Sequence, residues 1–441
     1  MIDPPAAAAR PPRVPGAQTT GRQIVVFADA ADERVDWSAA GISDVADSRD
    51  FASGRVPAQA MRDAGATVFA RLGIAVVTAG PDQVAALRGA RRPVLSVSPE
   101  LVHHVLPEDP SAYVRGYRDG VADLAARLVG APIPGEEPPL PPPFEDTAAA
   151  TWGIQAVQAT TSPFTGQGVR VAVLDTGLDL QHPDFAGRTV TAESFVPGVD
   201  SAQDGHGHGT HCTGTACGPR VPPAGPRYGV ASDAEVFIGK VLSDEGSGDD
   251  GGILAGIDWA VANGCAVISM SLGADVAEAH PPYSAAGRRA LEQGSLIVAA
   301  AGNNADRENG EFGFVGAPAN SVEILAVGAL DPRLATAWFS ARSLPVPGGE
   351  VDVAAPGVDV LSTWPMPDRY NTISGTSMAT PHVAGLAALW AEATGRRGYE
   401  LWATLTQASR RLTEPSVDVG SGLVLAPQEG AATASGRSGR A

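Results

Sequence analysis

Lysine is almost absent from this chain. Lys240 is the only one among 31 basic residues, against 49 acidic ones, and the formal charge is −18 over 441 residues. A surface of that sign repels phosphate backbones and anionic lipid, so binding to nucleic acid or to an anionic membrane is disfavoured. Also missing is any apolar run of about 18 residues, the length at which a segment reads as a membrane-spanning helix. Cysteine is scarce too. Cys212, Cys217 and Cys265 are too few for a disulfide framework, and the first two, five residues apart in a predicted helix, point away from each other. Buried free thiols are expected. The first thirty residues, opening MIDPPAAAARPPRVPGAQ, hold no apolar core of the kind a secretory signal carries, so they give no support to export by the usual route.

What is present, 44% hydrophobic and 18% charged residues, suits a globular protein with a large core. The length predicts two domains, or one large α/β domain with an accessory region. Residues 1–21, rich in Ala, Pro and Arg, read as a disordered arm. Over 22–110, RQIVVFA reads as a strand and VPAQAMRDAGATVFARLG mixes helix and turn signals. IAVVTAG is a second strand, PDQVAALRGA a helix, and RRPVLSVSPELVHHVL one or two further strands. That alternation predicts a small α+β sandwich. Residues 111–150 read as a helix, SAYVRGYRDGVADLAARLVG, and an extended proline-rich linker.

From residue 151 to 428 the texture changes. VRVAVLD, EVFIGKVL, AVISMSLG, LIVAAAGN and ILAVGAL are apolar strand runs separated by helical stretches such as GGILAGIDWAVANG and AAGRRALEQG. Near-continuous apolar strands alternating with helices predict an α/β fold: a mainly parallel sheet covered by helices on both faces, in three layers. In such sheets the functional site lies beyond the carboxyl ends of the strands. Asp175, Ser271 to Gly273 and Asn303 all follow strand runs directly. Residues 429–441 are low in complexity and read as a disordered tail.

Three strings carry the chemistry. GTSMATPHVAG, residues 375–385, sets Ser377 among small residues at the start of a helix, with Pro381 expected in the first turn, where its missing N–H costs little. VAVLDTGLD ends a strand on Asp175, and DGHGHGTHCTGT puts His208 just before a helical pattern. A serine hydroxyl needs a base to take its proton, a histidine suits that role, and a carboxylate on the far ring nitrogen fixes the tautomer. Taken singly, the aspartate could be a turn residue and the serine a cap. Together, and in the chain order Asp, His, Ser, the strings resemble those of the subtilisin-like serine proteases, from about Trp152 to about Pro427.

The resemblance implies a catalytic triad of Asp175, His208 and Ser377, with Asn303 in VAAAGNN donating to the oxyanion beside the Ser377 amide. It implies that Ser271, Leu272 and Gly273, with the backbone near Gly246 to Gly248, pair with an extended peptide. Ala300, Ala301, Gly302 and Gly316 would line a primary pocket with room for a large apolar side chain. The segment 22–110 is similar in position and pattern to the family's propeptide, a ferredoxin-like α+β unit that inhibits the enzyme; an unrelated small domain is the alternative. The expected protein is thus a zymogen-type endopeptidase acting on protein or peptide substrates, monomeric and needing no cofactor for catalysis. Family resemblance implies an extracellular location, against the absence of a visible secretory segment. Asp352 in VDVAAPG, and Asp184 in HPDF, match family positions for a structural calcium ion. A peptide ligase or macrocyclase working through the same acyl-enzyme, or a peptide-binding pseudoprotease, are the alternatives. A metallohydrolase built on His206, His208, His211 and Asp204 would leave the serine and asparagine strings unexplained. The acidic run Asp244, Glu245, Asp249 and Asp250 reads as solvated surface or as a preference for basic side chains away from the cut.

Overall fold

A computed structural model describes residues 18–28, 37–51, 55–80, 82–83, 86, 94–106 and 144–430. The predicted helix at 111–130 and residues 131–143 of the proline-rich linker lie outside the described residues, as do most of the arm and tail. The N-terminal unit contains β1 (Thr19–Phe27), β2 (Val45–Asp47), α1 (Ala58–Asp63), β3 (Ala66–Phe69), β4 (Ile74–Val77) and β5 (Val94–Val105). They form one sheet in the order β5-β1-β4-β3-β2, antiparallel except where β2 meets β3. Ordered structure begins before Arg22, the residue expected from the sequence. Thr19 pairs with Leu101, so the start of β1 is set by its partner strand and not by any apolar pattern of its own.

Alternation along β1 gives the sheet two apolar faces. Val25 and Phe27 close a small core with Trp37, Ile42 and Val68. Ile24 and Val26, with Leu72, Ile74 and Val76, turn the other way and join the core of the larger domain. Two buried polar anchors reinforce that second face. Arg289 donates to the carbonyls of Phe27, at 2.6 Å, and of Leu72. Glu100 accepts from Arg22 at 2.6 and 2.7 Å.

The larger domain runs α2 (Trp152–Ala156), β6 (Arg170–Asp175), β7 (Val190–Ser194), α3 (His208–Cys217), β8 (Glu235–Lys240), β9 (Ser247–Asp249), α4 (Asp250–Ala262), β10 (Val267–Met270) and β11 (Leu272–Gly273). It continues with α5 (Pro281–Glu292), β12 (Leu296–Ala300), β13 (Leu325–Leu330), β14 (Val353–Pro356), β15 (Val360–Thr363) and β16 (Tyr370–Ile373). The last helices are α6 (Thr376–Thr394), α7 (Gly398–Ala408) and α8 (Ser416–Val419). Seven strands form a wholly parallel sheet in the order β14-β13-β12-β10-β6-β8-β7.

Both faces of that sheet are covered, as the apolar strand runs predict. Val171 and Val173 of β6 pack with Cys212 and Ala216 of α3 and with Val383 and Ala387 of α6. Ala172 and Leu174 pack on the other side with Ile253 and Ile257 of α4 and Ala286 of α5. Small residues let α6 sit close: a Cβ on Gly385 would stand 2.6 Å from the Cβ of Val230. The chain leaves β6 toward β8 on one side and later returns on the other as β10. The carboxyl end of β6, where Asp175 sits, is therefore the point at which strand order reverses.

Candidate active site

Asp175 closes β6, and its Oδ1 accepts the N–H of Thr176 at 2.7 Å and lies 2.8 Å from Nδ1 of His208. His208 opens α3 and is fully buried. A carboxylate can only accept, so Nδ1 carries the hydrogen, and the neutral ring presents its lone pair at Nε2. Nε2 is buried with no hydrogen-bond partner among the described residues. Burial opposes charge on this ring, but the Asp175 carboxylate outweighs it, with Cys212 adding to its effect. The imidazolium is held well above the usual histidine range.

Ser377 is the second residue of α6, following Gly375 and Thr376. Its hydroxyl donates to the carbonyl of Ser271 at 3.4 Å, and no hydrogen bond joins it to His208 in this structure. The two residues nevertheless flank one sulfur. Cys212 Sγ lies 3.8 Å from Nδ1 of His208 and 3.6 Å from the Ser377 carbonyl oxygen. Pro381 departs from the sequence reading. Because α6 begins at Thr376, the proline falls in its second turn, where it removes a helical N–H that would have bonded Ser377. The Ser271 hydroxyl takes that carbonyl instead, at 2.8 Å.

Asn303 follows β12, and its Oδ1 accepts both the N–H and the hydroxyl of Thr376, at 2.9 and 2.8 Å. Since the backbone N–H must donate, the atom facing it is the oxygen, and the amide nitrogen is turned toward Gly375. A Cβ on that glycine would stand 3.2 Å from Nδ2. A side-chain donor thus lies beside the start of the helix that carries Ser377.

Beyond the sheet, β5 lies in a groove between β9 and β11, antiparallel to both. His103 pairs with Gly248 and His104 with Ser247 on one edge; His104 pairs with Gly273 and Val105 with Leu272 on the other. The N–H of Val105 adds a 2.8 Å bond to the Gly246 carbonyl. Buried Leu106 follows, within 3.1 Å of where a Cβ on Gly273 would be. Ala300, Ala301, Gly302 and Gly316 gather behind this edge. Gly316 donates to Ala301 at 3.0 Å, and Ala317 to Ala274 at 3.1 Å.

The sequence profile of the subtilase family, peptidase S8, matches residues 166–423, more than half of the chain. The chain belongs to the subtilase family. Subtilisin Savinase of Lederbergia lenta is 43% identical over 241 residues, covering 54% of this chain and 82% of its own length. M-protease of Shouchella clausii (strain KSM-K16) is 43% identical over 241 residues, which span only 58% of that protein. Subtilisin-like protease 2 of Pseudogymnoascus destructans (strain ATCC MYA-4855 / 20631-21) is 41% identical over 262 residues, 56% of this chain and 59% of the relative.

The histidine-rich string of this subtilase does not converge on a metal. His211 Nε2 bonds the Val360 carbonyl at 2.9 Å, and burial pulls its pKa down to about 3. Asp204 spends its oxygens on the amides of His206, Gly207 and Thr210 and on the hydroxyls of Thr176 and Thr210. Among the described residues the three-membered group with converging ligand atoms is Asp175, His208 and Cys212.

Asp352, the candidate calcium ligand, accepts the Ala326 N–H on Oδ2 at 2.8 Å, and burial lifts its carboxyl to about 7. Asp184 is likewise occupied. It accepts from the hydroxyls of Tyr228 and Tyr370, at 2.6 and 2.9 Å, and from Arg369 at 3.3 Å. Nor is the acidic run one solvated edge. Asp249 caps α4 through Gly252 at 2.8 Å, Asp244 pairs with buried Lys240 at 2.6 Å, and Asp250 is wholly buried.

Three contributors escaped the sequence reading: Thr376, which orients Asn303; the Ser271 hydroxyl; and Cys212. The last had a signal. Residues i and i+4 share a helix face, so Cys212 had to lie beside the ring of His208.

Proposed function

We propose that this chain is a serine endopeptidase that works through an acyl-enzyme on Ser377 and is held inactive by its own N-terminal unit. The observation that carries the reading is the seating of β5. This extended backbone is hydrogen-bonded on both edges and runs toward Ser271, whose carbonyl accepts the Ser377 hydroxyl. A cleft that binds main chain by main chain accepts many sequences.

In the reaction the Ser377 hydroxyl turns from the Ser271 carbonyl to His208 Nε2. It gives up its proton there as Oγ bonds the substrate carbonyl carbon. Asp175 stabilises the imidazolium. The carbonyl oxygen takes the negative charge and is met by the Asn303 amide and the Ser377 N–H, the latter unpaired because it lies in the first helical turn. His208 then passes its proton to the leaving nitrogen as the C–N bond breaks, leaving an ester on Ser377. Water, deprotonated by His208, attacks that ester, releases the acid and restores the hydroxyl. The small residues Ala300, Ala301, Gly302 and Gly316 favour a large apolar side chain before the cut.

The test is a fluorophosphonate, which reacts with an activated serine. Labelling of the wild type, its loss in Ser377→Ala, and peptide products heavier by one water support the reading. An unlabelled, inactive wild type whose N-terminal unit has been displaced would sink it.

A further inference from the structure

His103 points into a closed polar pocket built by the larger domain. Its ring is wholly buried, with Nε2 2.7 Å from Oδ1 of Asp250 and 3.2 Å from the Tyr283 hydroxyl. The rings of His103 and Tyr283 meet edge to face, 5.4 Å between centroids at 83°. Tyr283 itself donates to Asp250 Oδ1 at 2.7 Å. His280 Nε2 lies 3.1 Å from Oδ2, and the N–H of Leu101 completes the set at 2.6 Å. Burial pushes the Asp250 carboxyl up, but His103 and then His280 pull it down further, and it ends below the ordinary aspartate range.

The register fixes where this pocket stands relative to the nucleophile. Val105 faces Leu272, so the next residue, Leu106, comes opposite Ser271. His103 is therefore three residues upstream of the residue at the reacting position.

We propose that Asp250, with Tyr283 and His280, forms a selective pocket for histidine three positions upstream of the residue whose carbonyl is cut, so that peptides carrying an imidazole there are favoured substrates. This rests on the endopeptidase reading. When β5 leaves, Asp250 keeps Tyr283 and His280 but loses two donors, His103 and the Leu101 amide. A peptide returning its own backbone N–H and an imidazole restores both. A leucine of similar bulk buries the carboxylate without its side-chain donor, which is costly. A lysine carries its ammonium well beyond the reach of an imidazole nitrogen and forfeits the edge-to-face contact with Tyr283.

The test uses the full chain once its N-terminal unit has been displaced, and coumarin amides of the sequence Leu-Val-His-His-Val-Leu, with the first histidine kept or replaced by leucine or lysine. Losing a hydrogen bond to a buried charge corresponds to a loss of about ten- to a hundredfold in kcat/KM for the leucine peptide. In Asp250→Leu that ratio is expected to collapse or reverse. Equal cleavage of the histidine and leucine peptides by the wild type, or faster cleavage of the lysine peptide, overturns the pocket while leaving the endopeptidase reading intact. No cleavage of any peptide together with no fluorophosphonate labelling overturns both. The wild-type ratio decides even if the variant does not fold.

Discussion

The carbonyl of Ser377 is released from its own helix by Pro381 and held at 2.8 Å by the hydroxyl of Ser271. The proline sits where it costs helical stability, and the freed oxygen is used to tie the nucleophile's backbone to the residue that leads into the peptide-binding edge. Ser271 thus serves both sides of the reaction. Its side chain holds the Ser377 carbonyl and its own carbonyl accepts the Ser377 hydroxyl.

Ser271→Ala is expected to remove that tie without disturbing the backbone pairing of β11. The buried hydrogen bond corresponds to about 1 to 2 kcal/mol of stability. A misplaced nucleophile lowers kcat more than it raises KM. Thermal melts and steady-state kinetics on the same preparation check both. A change in KM alone would mean that Ser271 only lines the groove.

Asp175 raises the pKa of His208 within a buried site, and the sign of the consequence is fixed. The base must be neutral, so activity rises with pH through the His208 pKa, and the acid limb of kcat/KM is expected above 6.5, the ordinary histidine value. The ion pair's contribution to stability runs the other way, full below the unfolded pKa and lost as pH rises through the folded one. Asp175→Asn removes the main opponent of burial on the ring and leaves only the smaller effect of Cys212. The limb moves to lower pH, and turnover falls by about 10⁴, the loss seen for the same change in a chymotrypsin-type triad. An unmoved limb would assign it to another group.

Much of this site was legible because its residues stand at forced positions. Asp175 ends an apolar strand, His208 and Ser377 open helices among small residues, and the parallel sheet gathers strand ends on one rim. What the sequence did not reveal depends on partners far along the chain. Asp250 lies in an acidic run that reads as solvated, and it is buried among His103, 147 residues earlier, Tyr283 and His280. The depth of Pro381 depended on whether α6 began at Thr376 or at the proline. Local propensity cannot settle that, since the first turn is fixed by Asn303 accepting from Thr376. The metal reading of the histidine string is already disfavoured by the serine and asparagine strings it leaves unexplained. Its spacing looked like a ligand set, but the start of α3 sends His211 to Val360 and His208 to Asp175.

Asp258 of α4 provides a pH-dependent element under the N-terminal unit. Burial raises its carboxyl to about 7, Arg71 at 3.3 Å pulling it back only in part, and Oδ1 has no hydrogen-bond partner among the described residues. An acid whose folded pKa is raised prefers its protonated form, so its contribution to stability falls as pH climbs from about 4 through about 7. Asp258→Asn mimics the neutral acid at every pH. The variant is expected to melt close to the wild type near pH 4 and above it at pH 8, by an amount on the order of a few kcal/mol. A variant less stable than the wild type at pH 8 would show that the Arg71 pair dominates.

Asp352 separates hydrogen bonding from metal binding. Its carboxyl group supports the Ala326 amide at the start of β13, so Asp352→Ala leaves a buried donor unpaired and is expected to cost about 1 to 3 kcal/mol. That loss would be the same in chelator and in millimolar calcium if no cation is held there. Any calcium stabilisation of the wild type at other oxygen ligands would persist in the variant, because binding to the folded state adds its free energy independently of this residue. Paired melts of the two proteins with and without calcium measure the coupling directly. A calcium-dependent rise in melting temperature present in the wild type and abolished in Asp352→Ala would place the ion at this carboxylate, and would require that it ionise well below about 7 when the cation is bound.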